Sequence, residues 1–266
     1  MKQYKRVLTI AGSDSGGGAG IQADLKTFSA CGCFGMSAIT AITAQNTLGV
    51  KAIHSVPVDI LEAQIRAVID DIGVDTIKIG MLQSAEVIEK VALVLRDYNI
   101  TNIVLDPVMV ATSGDPLIQE DAIAAMQEML FPFVRLITPN LPEAEILLGE
   151  KIDGSLADVA QKMANTFGVS VLAKAGHLVG DVLIDVLYDN EKSQIFEFQN
   201  TRVTTNNSHG TGCSLSSAIA AHLALGHSLD RSVYKGITYV HDGLVAGADY
   251  KIGGGHGPIH HFHNMW

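Results

Sequence analysis

The sequence predicts an α/β fold in which a mostly parallel sheet carries helices on both of its faces. Short apolar runs of strand length alternate with amphipathic stretches of about 10–15 residues along most of the chain, a pattern typical of parallel sheets. Hydrophobic residues make up 47% of the 266 residues and charged residues 17%, a composition that supports a large buried core. Because no Pro/Ser-rich linker, charge block or internal repeat divides the sequence, we expect residues 1–266 to form one domain.

The first elements are defined by a strand, a glycine loop and a helix. The apolar run from Arg6 to Ala11 predicts a strand that ends at glycine, and the loop from Gly12 to Gly20 leads into a helix from Ile21 to Ala30. Met36 to Ala44 is rich in Ile and Thr and predicts a single buried strand. The following elements are an edge strand at Val50 to Val56, helices at Ile60 to Ile72 and Ser84 to Tyr98, and strands at Thr76 to Met81 and Ile103 to Leu105.

The second part of the chain continues the alternation of helices and strands. Helices are predicted at Asp121 to Leu130, Pro142 to Leu148, Ser155 to Phe167, Ser214 to Leu225 and Leu229 to Ala246. Strands are predicted at Leu136 to Thr138 and Val169 to Lys174, with a β-hairpin formed by Val182 to Tyr188 and Ser193 to Phe198. In such sheets ligands bind beyond the carboxyl ends of the strands. We expect the residues at those ends to converge on one crevice: Gly12, Gln45, Met81, Asp106, Thr138 and Lys174.

Composition excludes several classes of protein. A formal net charge of −10 argues against a nucleic-acid-binding surface. The three cysteines form no disulfide framework, which fits a reducing compartment. The apolar run near the N-terminus is too short for a signal peptide and no run is long enough for a membrane span, so a soluble cytoplasmic protein is expected. The His-rich ending, from His256 to His263, lacks the Cys or carboxylate partners typical of a metal site.

The stretch from Asn207 to Ser214 predicts an anion site. Gly210 and Gly212 lead directly into an Ala- and Ser-rich helix, whose unpaired N–H groups and dipole favour negative charge. A thiol at that position is expected to have a lowered pKa, so Cys213 could act as a base or a thiolate. His209 beside it is a candidate hydrogen-bond donor. The alternative is a capped helix in which Cys213 is a small apolar filler.

The first glycine loop does not fit the common nucleotide-binding motifs. Gly18-x-Gly20-x-x-Ala23 matches a dinucleotide fingerprint superficially, but the second strand ends in Gln45-Asn46 rather than in an acidic residue. The G-x-x-x-x-G-K-[ST] phosphate loop is absent. The loop is better suited to a small ring with a hydroxyl group. Asp24 in the following helix could face that ligand, or could be an exposed helix carboxylate.

Charged residues at three further strand ends predict phosphoryl transfer. Asp106 follows an apolar strand and is a candidate for the magnesium side of a site. Asn140 and Glu143 follow the next strand, where Glu143 could bind a magnesium-coordinated water or could merely stabilise a helix N-terminus. Lys174 would supply a fixed cation for a phosphate. With the anion site, these groups are the parts that phosphoryl transfer requires.

These motifs resemble the hydroxymethylpyrimidine/phosphomethylpyrimidine kinases of the ribokinase-like superfamily. The sugar kinases of that superfamily carry G-A-G-D at the second signature, where the aspartate deprotonates the substrate, and Cys213 replaces it as in the vitamin kinases of the group. The resemblance runs nearly end to end, with Ser208 where threonine is usual and Ala175 where many relatives have glycine. The segments that carry it are Ala11 to Lys26, Lys78 to Leu82, Leu105 to Met109, Thr138 to Ala144 and Gly257 to His263.

The resemblance implies a three-layer ribokinase-like fold and an enzyme of thiamine biosynthesis that uses Mg²⁺ and ATP twice. It would phosphorylate the hydroxymethyl group of 4-amino-5-hydroxymethyl-2-methylpyrimidine, and then the monophosphate to the diphosphate. A homodimer is implied as well. Two alternatives stay open: pyridoxal or pyridoxine kinase activity in the same site, since the two rings are similar, and a non-catalytic pyrimidine sensor on the same scaffold.

The resemblance also implies a role for each matching residue. The pyrimidine would be bound by Gln45 and Asp24 and lined by Gly12, Met81 and Val108. Magnesium and the triphosphate would be held by Asp106, Asn140 and Glu143, with the metal on Asp106 and Glu143 and the phosphates on Lys174. The anion hole would be formed by Gly210, Thr211 and Gly212, and Cys213 would be the general base or an activator of the hydroxyl.

Overall fold

The computed structural model describes residues 2–109, 119–176 and 180–266, and these contain an eight-stranded sheet with the strand order β10-β9-β8-β7-β6-β5-β1-β2. Pairing is parallel from β2 through β8, and only β9 and β10 are antiparallel. The mostly parallel sheet is therefore confirmed. Its strands are β1 (Arg6–Ala11), β2 (Phe34–Ile39), β5 (Thr76–Ile79), β6 (Ile103–Leu105), β7 (Leu136–Ile137), β8 (Ser170–Ala173), β9 (Val182–Asp189) and β10 (Gln194–Thr201).

Helices cover both faces of this sheet, as predicted. Because side chains alternate along a strand, Leu8 of β1 packs into a core with the helices of one face and its neighbour Val7 into a core with those of the other. The first face carries α2 (Val58–Asp71), α3 (Ala85–Asp97), α4 (Glu120–Ala125), α5 (Leu141–Leu148) and α6 (Leu156–Phe167). The second carries α1 (Gly20–Ala30), α7 (Thr211–Ala224) and α8 (Leu229–Gly247).

The run from Met36 to Ala44, which was predicted to be one strand, is divided between two strands. The prediction of a single strand was wrong. β2 ends at Ile39, and β3 (Ala41–Asn46) pairs with β4 (Gly49–Ser55) in a separate two-stranded antiparallel sheet. The division falls at Thr40, a fully buried residue whose N–H donates to Ala11 O at 3.0 Å and whose hydroxyl donates to Met81 O at 2.9 Å. These bonds fix Thr40 at the sheet edge while the chain turns into the hairpin.

This change also moves Gln45, which was expected at the end of a strand of the main sheet. It lies instead in β3 of the small sheet, beside an irregularity in the β3–β4 register between Ala44 and Gln45. Its backbone N–H donates a hydrogen bond to the hydroxyl oxygen of Ser15 in the glycine loop, at 2.8 Å. Gln45 therefore remains next to the first glycine loop, although it belongs to a different sheet.

The helix predicted from Asp121 to Leu130 is regular only over its first part. α4 ends at Ala125, and a π-helical turn (Met126–Leu130) and a 3₁₀ turn (Phe131–Phe133) follow it. Pro132 has no N–H with which to continue a helix. Both Met126 and Leu130 are buried, so the widened turn keeps two apolar side chains in the core. In the part of the chain that the structure describes, no helix has the length and apolar character that a bilayer crossing requires.

Candidate active site

The start of α7 is shaped by a close contact between Gly210 and Gly18 of the first glycine loop. Gly210 precedes the helix with φ of 77°, a left-handed conformation that favours glycine. A Cβ atom at Gly210 would lie only 1.9 Å from the carbonyl oxygen of Gly18. The Thr211 N–H donates back to Ser208 O at 3.3 Å, whereas helical geometry leaves the N–H groups of Gly212 and Cys213 without partners inside the helix. The helix start is thus available to an anion.

Asp106 and Lys174 lie directly beside this helix start. A Cβ atom at Gly212 would be 3.4 Å from Asp106 Oδ2 and 3.6 Å from Lys174 Nζ. Lys174 Nζ donates to Asp106 Oδ1 at 3.0 Å and lies 3.8 Å from Glu143 Oε2. Because β6, β7 and β8 are parallel neighbours, their carboxyl ends bring these side chains to one edge of the sheet. Of the strand-end residues expected to converge, Asp106, Thr138 and Lys174 do so, because the Thr138 hydroxyl also donates to Asp106 Oδ1, at 3.0 Å.

Asn140 and Glu143 form a capping box at the start of α5. Glu143 Oε2 accepts the Asn140 backbone N–H at 2.8 Å, and Asn140 Oδ1 accepts the Glu143 backbone N–H at 2.9 Å. Glu143 therefore stabilises a helix N-terminus, as the simpler interpretation held. It also faces Lys174, so the same carboxylate belongs to the charged cluster.

The protonation states in this cluster differ from one group to the next. Burial raises the pKa of Asp106, but Lys174, Lys78 and the hydrogen bonds outweigh it and hold that pKa below its ordinary value. Burial raises the pKa of Glu143 to about 7, with Lys174 opposing the rise and Asp106 adding to it. Burial lowers the pKa of Lys174, yet Asp106 and Glu143 more than compensate and raise it. The cluster at neutral pH holds an ionised Asp106, a cationic Lys174 and a Glu143 near its titration point.

These donors fit a magnesium ion that is shared with phosphates. Mg²⁺ is commonly held by one or two carboxylates together with substrate phosphates and water, and Asp106 and Glu143 flank Lys174 in that manner. Across residues 2–109, 119–176 and 180–266, no group of three or more His, Cys, Asp or Glu side chains is placed to hold a metal by itself. A metal here would therefore depend on the phosphates for its remaining ligands.

The Cys213 thiol was expected to have a lowered pKa, and that prediction was wrong. Burial raises the pKa of the thiol to about 11. Lys78 and the Gly20 N–H lower it, but Asp24 and Asp106 raise it further. The stabilisation of a thiolate at a helix start is thus outweighed here, and the thiol is protonated at neutral pH.

Asp24, which was predicted to bind the pyrimidine, takes part in a buried ion pair, and its role toward a ligand remains a prediction. Its side chain is fully buried. Lys78 Nζ lies 2.9 Å from both carboxylate oxygens, and the hydroxyls of Thr9 and Ser217 donate to the carboxylate at 2.6 and 2.7 Å. Ser217 lies one turn beyond Cys213 in α7, so Asp24 supports the helix from beneath. The alternative of an exposed helix carboxylate was wrong, because the side chain is fully buried.

The other residues expected around the ring are Gly12, Met81, Val108 and Gln45. Gly12 and Met81 are in contact, because a Cβ atom at Gly12 would be 2.4 Å from Met81 Cε. Val108 is half-buried and its N–H donates to Asp106 O at 2.8 Å. Gln45 is also half-buried, and its Oε1 accepts a hydrogen bond from the Thr43 hydroxyl at 3.3 Å. The ring roles of Gly12, Gln45, Met81 and Val108 remain predictions.

Two residues of this site were missed by reasoning from the sequence. Asp14 is almost fully buried in the glycine loop and accepts a hydrogen bond from His209 Nε2 at 2.8 Å. Lys78 is fully buried in β5. A lysine between Ile77 and Ile79 in a buried strand was an available signal, because a buried ammonium needs a charged partner. Asp14 gave no comparable signal, since an aspartate in a glycine-rich loop is ordinary turn chemistry.

The C-terminal tail packs against the same helix start. The His209 N–H donates to Gly257 O at 2.9 Å, and His209 forms an isolated parallel bridge with Pro258. The hydroxyl of Ser214 lies 3.1 Å from His261 Nε2, and both side chains are buried. The tail therefore contacts the segments on both sides of Gly210.

A parallel three-layer fold with a glycine-led helix start, a lysine and two carboxylates at its strand ends has the architecture of a ribokinase-like kinase. A family model described as phosphomethylpyrimidine kinase matches residues 14–260. The chain is 48% identical over 262 residues to the hydroxymethylpyrimidine/phosphomethylpyrimidine kinase of Rhizobium meliloti (strain 1021), with 97% of each chain covered. The chain belongs to the phosphomethylpyrimidine kinase family.

Solved structures agree with the fold. A crystal structure of phosphomethylpyrimidine kinase from Clostridium difficile 630 is similar at 42% identity and a TM-score of 0.78, over 89% of this chain and 97% of that chain. The pyridoxal kinase of Staphylococcus aureus in complex with ADP is similar at 32% identity and a TM-score of 0.89, over 99% of this chain and 96% of that chain. The ribokinase-like fold that the sequence predicted is therefore confirmed.

Proposed function

We propose that this protein is the ATP-dependent kinase that phosphorylates 4-amino-5-hydroxymethyl-2-methylpyrimidine and then converts the monophosphate to the diphosphate, in thiamine biosynthesis. The observation that carries this proposal is that Asp106 and Lys174 lie beside Gly212 at one helix start, 3.4 and 3.6 Å from the place that a Cβ atom of Gly212 would take. The family membership supplies the substrate class. Residues 1–266 act as a single kinase domain.

Catalysis depends on positioning and on electrostatic stabilisation, as is usual in phosphoryl transfer. The N–H groups of Gly212 and Cys213 at the start of α7 donate hydrogen bonds to the oxygens of the transferred phosphoryl group. Lys174 adds a fixed positive charge beside them. Both are in place before substrate binds, so little reorganisation accompanies the reaction.

ATP is the phosphoryl donor, and Asp106, Asn140 and Glu143 lie on the side of its triphosphate. Mg²⁺, when bound by Asp106 and Glu143, neutralises charge on the phosphates. To hold the metal, the Glu143 carboxyl, whose pKa burial raises to about 7, would have to be ionised. Lys174, beside both carboxylates, would add its charge to that of the metal.

Cys213 holds the substrate hydroxyl near the phosphoryl group. Its thiol is protonated before the reaction, because burial raises its pKa to about 11. The transition state of phosphoryl transfer is largely dissociative, so the hydroxyl proton needs to leave only late in the step. These properties favour the role of activating and positioning the hydroxyl over that of a resident thiolate base.

The activity is tested by ADP release with each substrate supplied separately. We expect ADP to form with the hydroxymethylpyrimidine and with its monophosphate, and mass spectrometry to identify the monophosphate and diphosphate as products. Binding of the pyrimidine without ADP release would support the sensor alternative instead. The presence of Asp106, Lys174 and Cys213 in one place argues against a sensor, which needs no phosphoryl-transfer groups.

Pyridoxal kinase activity is a second candidate. The S. aureus pyridoxal kinase matches 99% of this chain with a TM-score of 0.89, so the scaffold accommodates either ring. Steady-state kinetics with both substrates separates them. We expect a higher kcat/KM for the pyrimidine, and a higher value for pyridoxal would overturn the assignment.

We also propose a cytoplasmic homodimer. The small β3–β4 sheet exposes three large apolar side chains, those of Ile42, Leu48 and Ile53, with exposed fractions of 53%, 70% and 45%. The register pairs Ile42 with His54 and Ile53 with Thr43, so Ile42 and Ile53 lie on opposite faces of the small sheet, and the face of Ile53 is the one proposed to contact a second copy of the chain. Light scattering after gel filtration is expected to give twice the chain mass for the wild type, and a monomer for Ile53→Asp.

A further inference from the structure

Asp14, in the glycine loop (residues 12–20), and His209, the residue before Gly210, form a buried pair. The pair joins the loop to the segment that leads into α7. We propose that this pair is a positioning device that sets the glycine loop, on the pyrimidine side, at a fixed place relative to the anion-binding start of α7. The inference deepens the proposed kinase function and rests on it.

Asp14 determines the shape of the glycine loop. Its Oδ1 accepts the Gly16 N–H at 2.8 Å, and its Oδ2 accepts the N–H groups of Gly18 and Ala19 at 3.0 and 2.8 Å. The side chain is almost fully buried. One carboxylate thus holds three amides of the loop, and whatever fixes this carboxylate fixes the loop.

His209 connects that carboxylate to the anion site. Its Nε2 lies 2.8 Å from Asp14 Oδ2, and because an ionised carboxylate only accepts hydrogen bonds, Nε2 is the donor. The backbone of His209 is held separately, by its N–H bond to Gly257 O. His209, one residue before Gly210, is therefore held by hydrogen bonds both at its ring nitrogen and at its backbone.

The packing leaves little freedom between the two segments. A Cβ atom at Gly18 would lie 2.4 Å from His209 Cδ2 and 3.3 Å from Pro258 Cβ, so the ring occupies the space that a side chain at Gly18 would need. Gly210 approaches Gly18 O just as closely. A displacement of the ring would move both the loop and the first residue of the anion site.

The consequence is a coupling between the acceptor and the phosphoryl group. The hydroxyl of the pyrimidine has to lie in line with a phosphoryl group that α7 holds, and misplacement by about 1 Å can reduce a rate by about 100-fold. Neither Asp14 nor His209 is required to touch either substrate. Their effect is expected in kcat more than in the KM for the pyrimidine.

The test compares His209→Ala, His209→Gln and the control His227→Ala, whose histidine is exposed and lies between α7 and α8. We expect His209→Ala to lower kcat by about 10- to 100-fold with little change in KM. His209→Gln, whose amide N–H can donate to the same carboxylate, should recover most of that loss. His227→Ala should match the wild type. A kcat for His209→Ala within about twofold of the wild type would overturn the proposal, since a positioning role predicts a larger loss.

Hydrogen exchange supplies a readout that does not depend on turnover. We expect faster exchange in His209→Ala in residues 12–20 and 207–214 together, with both segments restored in His209→Gln. Faster exchange in one segment alone, or equal loss in both variants, overturns the coupling. If the alanine variant fails to fold, the glutamine variant and Asp14→Asn carry the same comparison. A wild type without kinase activity would refute the proposed function, while the exchange pattern would still decide the role of the pair.

Discussion

At the scale of single residues, the Cys213 thiol, proposed to lie beside the substrate hydroxyl, does not have the pKa of a base at neutral pH. The start of α7 and the ammonium of Lys78 favour a thiolate, but burial and two nearby carboxylates raise the pKa to about 11. The net result is a neutral group that can exchange hydrogen bonds with a hydroxyl. This arrangement suits a reaction in which charge stabilisation, rather than proton removal, is the main requirement.

Replacing the thiol should therefore affect catalysis and leave the fold intact. Cys213→Ala keeps the backbone of the anion site but removes the group beside the substrate hydroxyl, so we expect kcat to fall by about 100-fold or more. Thermal unfolding should stay near that of the wild type. The matched control is Cys31→Ala, a half-buried cysteine outside the site. A kcat of Cys213→Ala close to that of the wild type would show that a group other than the thiol activates the hydroxyl.

Glu143 gives the site a pH dependence near neutrality. Its pKa is raised to about 7 by burial, so the fraction of carboxylate grows as the pH rises through 7. We expect the Mg²⁺ concentration for half-maximal activity to fall by about tenfold between pH 6 and pH 8, since protons compete with the metal. Glu143→Gln cannot titrate and should remove this dependence. A dependence of the same size in Glu143→Gln would contradict the assignment.

At the scale of elements, a buried ion pair joins one strand, one helix and the helix that carries the anion site. Lys78 of β5 and Asp24 of α1 are both fully buried, and Ser217 of α7 donates to the same carboxylate. The Lys78 ammonium also lies close to Gly80, where a Cβ atom would be 2.8 Å from Nζ. Three elements are thereby held at fixed distances beneath Cys213.

Removing the ammonium should destabilise the protein strongly. Lys78→Met leaves the Asp24 carboxylate buried without its counter-ion, which typically costs about 3–5 kcal/mol in the free energy of unfolding. Lys90→Met is the control, because Lys90 pairs with Glu62 at a half-exposed position, where a loss of at most about 1 kcal/mol is expected. Urea denaturation measures the free energy of unfolding of both variants. Equal and small losses would mean that the buried pair contributes little.

A double variant shows whether the loss of stability in Lys78→Met comes from the unpaired charge or from lost packing. Lys78→Met combined with Asp24→Asn removes both charges, and replacing both partners of a buried ion pair is often close to neutral. We expect the double variant to be more stable than Lys78→Met alone. If it were less stable, the loss would come from packing and from the hydrogen bonds of Thr9 and Ser217.

At the scale of the whole molecule, the C-terminal tail completes the site from outside the sheet. Ile259 and His261 are buried, and Tyr239 of α8 donates its hydroxyl proton to His261 O at 2.8 Å. The tail also reaches the β3–β4 turn, where the His256 N–H donates to Thr47 O at 3.1 Å. It therefore connects α8, the anion site and the small sheet.

Removal of the tail should reduce activity more than it reduces helix and strand content. A chain ending before residue 257 loses the His209–Gly257 hydrogen bond and the Ser214–His261 contact. We expect a loss of at least about tenfold in kcat from misplacement of the helix start, with circular dichroism close to the wild type. The control ends after His263 and removes only residues 264–266, which are exposed. Wild-type kcat in the shorter chain would show that the tail is dispensable for the site.

The alternation of strands and helices was sufficient to predict the main sheet, because apolar periodicity reports burial directly. It was not sufficient at Thr40, where a hydroxyl bond to Met81 O divides an otherwise continuous strand-like run. Nor could it place Asp24, since an acidic residue in the first turns of a helix is compatible with solvent, with a ligand or with a buried lysine. Spacing predicted the meeting of Asp106, Glu143 and Lys174, whereas the Cys213 pKa depends on burial that only the folded chain defines.

The contact between Gly18 and Gly210 has a consequence for how the protein becomes active during folding. The two residues lie near opposite ends of the sequence, so their contact closes only after the intervening strands have assembled, and long-range contacts of this kind form late. The proposed phosphate site is therefore complete only when these two distant segments of the chain have come together.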